Sequence, residues 1–238
     1  MKIKQQFLKL LGSPRRKYVR FVRRRMLASD SIEHRFTWIH KSNLWGDRES
    51  ASGPGSTLRY TENLRRRLPA LFAEYEVRKV LDAPCGDFNW MKEVVRETGI
   101  RYVGADIVPQ LVADNNARYK SERIGFIHAD ITRGALPAAD LMICRDCLFH
   151  LSNADVARFV DNFCRSDIPY LLTTTHINHS GFDNRDIRTS EFRLLDLRKP
   201  PFSFPEPLCA IDDWIEDHPP RQMCLWSRDQ LLGARARP

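Results

Sequence analysis

From Lys79 onward the chain alternates short apolar runs with longer stretches of helical period. The apolar runs are 80–83 (VLDA), 101–107 (RYVGADI), 125–131 (GFIHADI), 140–144 (DLMIC) and 169–175 (PYLLTTT). Between them, 88–99, 109–120 and 153–164 space their apolar residues as one face of a helix does. Such alternation predicts a parallel sheet with helices on both faces. The connection 132–139 (TRGALPAA) is too short for a full helix, so one face should be thinner there. Two last apolar runs, 207–214 (PLCAIDDW) and 221–227 (RQMCLWS), can pair as a hairpin. Upstream, a helix is expected over 57–76, preceded by a polar stretch, 45–56, in which Gly53-Pro54-Gly55 forbids regular structure. Segment 176–207 has no clear period and carries Pro200, Pro201 and Pro205. It reads as an excursion over the sheet's C-terminal edge, where open α/β folds bind ligands.

Charge changes this picture only at the N-terminus. The 238 residues carry a net charge of +8, yet residues 1–29 hold ten Lys or Arg and no acid. The remainder is therefore slightly acidic, and the basic character belongs to the arm. Its apolar residues, Ile3, Phe7, Leu10 and Leu11, then Tyr18, Val22 and Met26, suit two short amphipathic helices. The expected organisation is a basic helical arm over 1–35, a cap loop and helix over 36–78, and the sheet domain over 79–232. One face of the arm can pack on the domain, or its charge can hold an anionic membrane surface. No run suits a secretory leader or a membrane span, and six scattered cysteines do not form a disulfide framework, so a reduced, cytoplasmic protein is expected. Cys144, Cys147 and His150 have the spacing of part of a zinc site, but no second cluster completes four ligands, and no metal is expected.

The loop after the first strand, LDAPCGDFNW, raises the question of the ligand. Dinucleotide loops use several glycines so that backbone can approach a pyrophosphate. This loop has Gly86 alone, between Asp82 and Asp87. Two carboxylates beside a pyrophosphate would be repelled by ~4 kcal/mol per charge pair at 4 Å and an effective dielectric of 20. S-adenosylmethionine (SAM) reverses that sign, since it lacks phosphate and carries a sulfonium and an ammonium. Asp106, 20 residues after Gly86 at the next strand's end, has the spacing of a ribose acceptor, and Asp130 in HADI would meet the adenine amino group.

Together these motifs resemble the class I SAM-dependent methyltransferases. The likeness implies a Rossmann-like, seven-stranded, mostly parallel sheet with helices on both faces and a C-terminal antiparallel hairpin. It also implies SAM contacts from Asp82, Ala83, Cys85, Gly86, Asp87, Asn89 and Trp90 in the first loop, Asp106 and Ile107 in the second, Asp130 and Ile131 in the third, and Arg145 after the fourth strand. More narrowly, IHKSNLWGDRESASGPGSTL, GADIVPQLV, LMICRDCLFHLS and LLTTTH resemble a bacterial methyltransferase group associated with surface-glycan genes.

Methyl transfer needs positioning and removal of the acceptor's proton. His150 is the expected base, with Asp146 four residues away orienting it or holding the acceptor, and His176 at the fifth strand's end is the rival. Trp45, Glu49, Ser50, Ser52 and Ser56 offer a stacking face and short polar groups suited to a sugar, and Asn178 could complete the pocket. The leading reading is O-methylation of a saccharide or cell-envelope intermediate. An RNA acceptor is disfavoured by the acidic body, and a non-catalytic SAM-binding scaffold is the remaining alternative.

Overall fold

Val80 and Leu81 are both fully buried yet pack on opposite sides of the sheet, as successive strand residues must. The structure, a computed structural model, describes Ser29 and residues 31–235. The basic arm, with its two expected helices, lies outside the described residues apart from its end. The first described helix, α1 (Ile32–Lys41), runs across the boundary expected at residue 36. After it come α2 (Glu62–Glu74), β1 (Lys79–Asp82), α3 (Met91–Thr98), β2 (Arg101–Asp106), α4 (Pro109–Tyr119) and β3 (Ile124–His128). Then follow β4 (Leu141–Cys144), α5 (Asn153–Arg165), β5 (Tyr170–His176), β6 (Cys209–Asp212), β7 (Arg221–Ser227) and α6 (Arg228–Arg235).

The seven strands lie in the order β3-β2-β1-β4-β5-β7-β6. β7 runs antiparallel to β5, from Tyr170 opposite Ser227 to His176 opposite Arg221, and β6 pairs antiparallel with β7. The expected seven-stranded, mostly parallel sheet with a reversed terminal pair is the observed one. Strand order reverses between β1 and β4, which opens a crevice at their C-terminal ends. No helix joins β3 to β4, so the sheet is thinner there as the short connection requires.

On one face Leu64, Leu68, Leu71 and Phe72 of α2 pack with Met91, Val94 and Val95 of α3. On the other, Val156, Phe159, Val160 and Phe163 form the apolar stripe of α5, at the i, i+3, i+4, i+7 spacing of a core-facing helix. Ser152 starts α5 by accepting the Asp155 N–H at 3.1 Å. The excursion 177–208 packs on this second face through fully buried Leu195 and Leu197. Arg193, 1% exposed, ties it down with bonds to the carbonyls of Leu151 and Arg185, both at 2.8 Å.

Candidate functional site

The cavity lies at the crevice between the ends of β1, β2 and β4, and its roof comes from the N-terminal side of the chain. α1 crosses the sheet edge: Glu33 pairs with His128 at the end of β3 at 3.0 Å, and Arg35 donates to the Thr189 carbonyl at 2.9 Å. Phe36, Ile39 and His40 of α1 thereby line the cavity, together with Trp45. Ser31 starts this helix by accepting the His34 N–H. The spacing of Ile32, Phe36 and Ile39 behind that cap is the signal that could have found it.

The floor is the loop after β1. Gly86 has φ +54, and a Cβ there would stand 2.2 Å from Ser52 Oγ, so glycine is required by the close approach of the roof. Phe88, where a second glycine is common, also has a left-handed φ, +58, and turns its ring away from the cavity. It packs there on Tyr102, Tyr119 and Phe126 with centroids 4.7–5.3 Å apart. The core thus holds in place a backbone conformation that glycine would otherwise supply.

Asp106 links floor and second strand: its Oδ2 accepts the Gly86 N–H at 3.0 Å and its Oδ1 the Val108 N–H at 2.9 Å. Asp82 is buried, accepts the Tyr102 hydroxyl at 2.6 Å, and burial pushes its carboxyl up to about 7. Asp130 stands two residues beyond the end of β3, which stops at His128 rather than at the aspartate, and its Oδ1 accepts from Thr132. All three line the cavity, with Cys85, Gly86, Trp90, Ile107 and Ile131. Ala83 is fully buried but is not part of the lining.

Several expected contacts are occupied by the fold itself. Asp87 does not open a helix, since α3 starts at Met91. Its carboxylate accepts from Ser50 Oγ (2.9 Å), the Ala51 N–H (2.8 Å) and Ser52 Oγ (3.2 Å), which clamps the roof to the floor. Glu49 accepts the Leu58 N–H and Asn89 Nδ2, both at 2.7 Å, and Asn89 also donates to the Ser56 carbonyl at 3.0 Å. Glu49, Ser50 and Asn89 are therefore clamp residues outside the lining, whereas Trp45, Ser52 and Ser56 reach the cavity. Asn178 only closes a local turn with Phe182.

Arg145 lines the cavity but is already engaged. Its Nε and Nη2 grip Asp213 at 2.8 and 3.0 Å, Nη2 also donates to the Gly55 carbonyl at 2.8 Å, and Nη1 lies 3.4 Å from Asp146. Burial opposes its charge, but Asp146 and Asp213 more than offset this and hold the guanidinium above its ordinary range. Asp146, at φ +52, accepts Arg221 Nη2 at 2.6 Å. Burial works against its ionisation, and Arg145 and Arg221 outweigh it, so its carboxyl lies below the usual range.

His150 sits in the short 3-10 turn Leu148–His150, lines the cavity, and stacks on Trp45 with centroids 4.6 Å apart at 25°. Its Nδ1 lies 2.9 Å from the Glu191 carbonyl. A carbonyl only accepts, so Nδ1 carries the hydrogen and Nε2 keeps a lone pair. Burial brings its pKa down to about 4, so the ring is neutral near pH 7.

His176 is placed differently from the sequence expectation. It is 3% exposed, lies outside the lining, and its Nδ1 accepts the Leu195 N–H at 3.2 Å. In the neutral ring Nε2 then holds the hydrogen and has no lone pair to offer. Burial also lowers its pKa to about 4, below the ordinary value of ~6.5. Between these values the unfolded chain binds the proton and the fold does not. The contribution is full above pH 6.5 and is lost as pH falls through about 4. Asp82, raised, acts in the opposite sense over the same range. His176→Asn should retain the acceptor for Leu195 and cut the loss of unfolding free energy between pH 7 and pH 4 by on the order of 1–3 kcal/mol in urea melts. An unchanged slope would show that His176 titrates alike in both states. No three His, Cys, Asp or Glu side chains gather in a metal-holding arrangement among the described residues, and Cys144 and Cys147 are both buried.

Residues 80–166, from β1 through α5, match the sequence model of a methyltransferase domain. SAM is the cofactor of such domains, and the lining fits it: carboxylates of Asp82, Asp106 and Asp130 for the cationic and hydroxyl-bearing parts, and Val108, Leu111 and Ile131 for an apolar base. The whole fold resembles a SAM-dependent methyltransferase of Leishmania major, with a TM-score of 0.62 at 14% identity over 85% of this chain and 89% of that one. Magnesium protoporphyrin IX methyltransferase of Synechocystis PCC 6803, solved with bound SAH, aligns with a TM-score of 0.52 at 15% identity over 80% and 94%. Human N-acetylserotonin methyltransferase in complex with SAM gives a TM-score of 0.48 at 17% identity over 68% of this chain; the chain spans 49% of that structure. No curated protein matches the chain. At these identities the likeness shows the fold alone.

Proposed function

We propose that the protein is a SAM-dependent O-methyltransferase that acts on a saccharide or related cell-envelope intermediate. The carrying observation is one cavity lined both by the carboxyl groups of Asp82, Asp106 and Asp130 and by a neutral histidine that stacks on an indole and keeps a lone pair on Nε2. When bound, SAM supplies a methyl group made electrophilic by its sulfonium. Asp82 and Asp106 would hold it at the first two strand ends, and Asp130 and Ile131 would hold its base. Trp45, one face of which His150 covers, offers its remaining cavity-lining surface for a sugar's CH groups. His150 Nε2 takes the acceptor hydroxyl's proton, and the anionic Asp146 nearby stabilises the imidazolium that results. The basic arm adds attraction to an anionic membrane surface, a reading that rests on its charge. No helix among the described residues is long and apolar enough to cross a membrane.

Calorimetry of SAM and SAH binding tests the cofactor end. Asp106→Ala should weaken both by about 1.5–3 kcal/mol, roughly 10- to 150-fold, and Asp106→Asn should lose less because it can still accept the Gly86 N–H. Unchanged affinity in Asp106→Ala sinks the assignment of that residue. A mass-spectrometric search for a 14-dalton gain (about one CH2 per transfer) on glycan intermediates tests the acceptor end.

A further inference from the structure

A row of aromatic rings leads out of the cavity. Phe36 meets Trp45 at 5.8 Å, Trp45 stacks on His150 at 4.6 Å, and His150 lies 5.9 Å from Phe192, centroid to centroid. The first three line the cavity, whereas Phe192 lies beyond it and is 50% exposed. A single exposed phenylalanine needs no explanation on a mobile loop. This one is fixed. Ser190 N–H donates to the His150 carbonyl at 2.7 Å, the Glu191 carbonyl accepts from His150 Nδ1 at 2.9 Å, and Arg193 N–H donates to the Phe149 carbonyl at 3.2 Å. Ser190 takes a left-handed φ of +86, a cost for a residue with a side chain, and its buried hydroxyl has no hydrogen-bond partner. The loop thus maintains strain and an unsatisfied hydroxyl while presenting an apolar ring to solvent next to the base.

We propose that Phe192 is the outer wall of the acceptor site, taking the second ring of a glycoside whose first ring lies against Trp45 and His150. The inference rests on the saccharide reading above and narrows it to acceptors of two or more rings. A one-ring sugar held within the cavity would stop short of Phe192, which is not part of the lining. A second ring linked to it reaches the exposed face, where ring stacking excludes water from both surfaces.

The test uses the full chain saturated with SAH and a panel of 4-nitrophenyl hexosides, each paired with its methyl hexoside, read by tryptophan fluorescence. At least one 4-nitrophenyl compound is expected to bind ten-fold or more tightly than its methyl partner. Phe192→Ala should bring that ratio to within about two-fold of unity, Phe192→Tyr should preserve it, and SAH affinity should stay unchanged in both. A ratio near one in the unmodified protein, an undiminished ratio in Phe192→Ala, or no binding across the panel overturns the inference. Free 4-nitrophenol binding as well as the glycosides, and depending on Phe192, would support the ring contact while removing the saccharide reading. One-ring glycosides that bind and are methylated without regard to Phe192 would leave the saccharide reading standing and remove the inference.

Discussion

Asp213→Ala is expected to destabilise the fold by about 3–5 kcal/mol, the cost of stranding a buried charge. Asp213 is 1% exposed and grips Arg145 through two bonds, with Arg221 Nε 3.9 Å away. Two arginines face two aspartates, and removing Asp213 leaves an uncompensated positive charge on Arg145 and Arg221, whose side chains are only 4% and 8% exposed. The pair's net worth against an apolar replacement is a separate matter, since both partners were desolvated to form it. Asp213→Asn keeps the shape and one acceptor, so its loss should be smaller. Urea unfolding at pH 7 measures both, and a change below ~1 kcal/mol in Asp213→Ala would mean that Asp146 alone neutralises the two arginines. The consequence reaches the cavity, because Arg145 lines it and donates to Gly55 in the roof.

That cluster marks where the sequence stops being legible. The strands were readable because buried parallel strands appear as apolar runs, and Asp82 and Asp106 were readable as strand-end aspartates, which the structure places in the cavity lining. Arg145 was assigned to the cofactor because its neighbours in sequence end β4; its partner, Asp213, lies 68 residues on, and nothing local announces it. Asp87 was read as a ligand contact from the acidic loop and the serines of 50–56 from their hydroxyls, and of these Asp87, Ser52 and Ser56 line the cavity. Short polar side chains in a glycine-rich loop look alike whether they bind a sugar or one another, and here Asp87 consumes two of them. Phe88 was counted as a missing glycine. Its ring in fact belongs to the aromatic core of Tyr102 and Phe126, so the loop's left-handed turn is held by packing across 38 residues of sequence.

With His150 as the proposed base, His150→Ala should lower the methylation rate by about 10²–10⁴-fold while SAM affinity changes only a few-fold, because the imidazole would then meet the acceptor and not the cofactor. The histidine reference value of ~6.5 would put the rise in rate near neutrality. Burial moves it: with the pKa at about 4, the rate should rise through that value and stay flat from pH 5.5 to 8. So weak a base can still serve, since a hydroxyl proton becomes strongly acidic once its oxygen begins to bond carbon, and the transfer belongs to the transition state. The Glu191 carbonyl holds the tautomer that leaves Nε2 ready, and Asp146 favours the charged ring that forms. Asp146→Asn should therefore show a smaller loss and shift the rise to lower pH, although weakening of the Arg221 bond contributes to the loss. His176→Asn should turn over normally, because its one lone pair is committed to Leu195. Near-normal turnover in His150→Ala across this pH range would leave orientation alone as the source of the rate, with the proton passing directly to water.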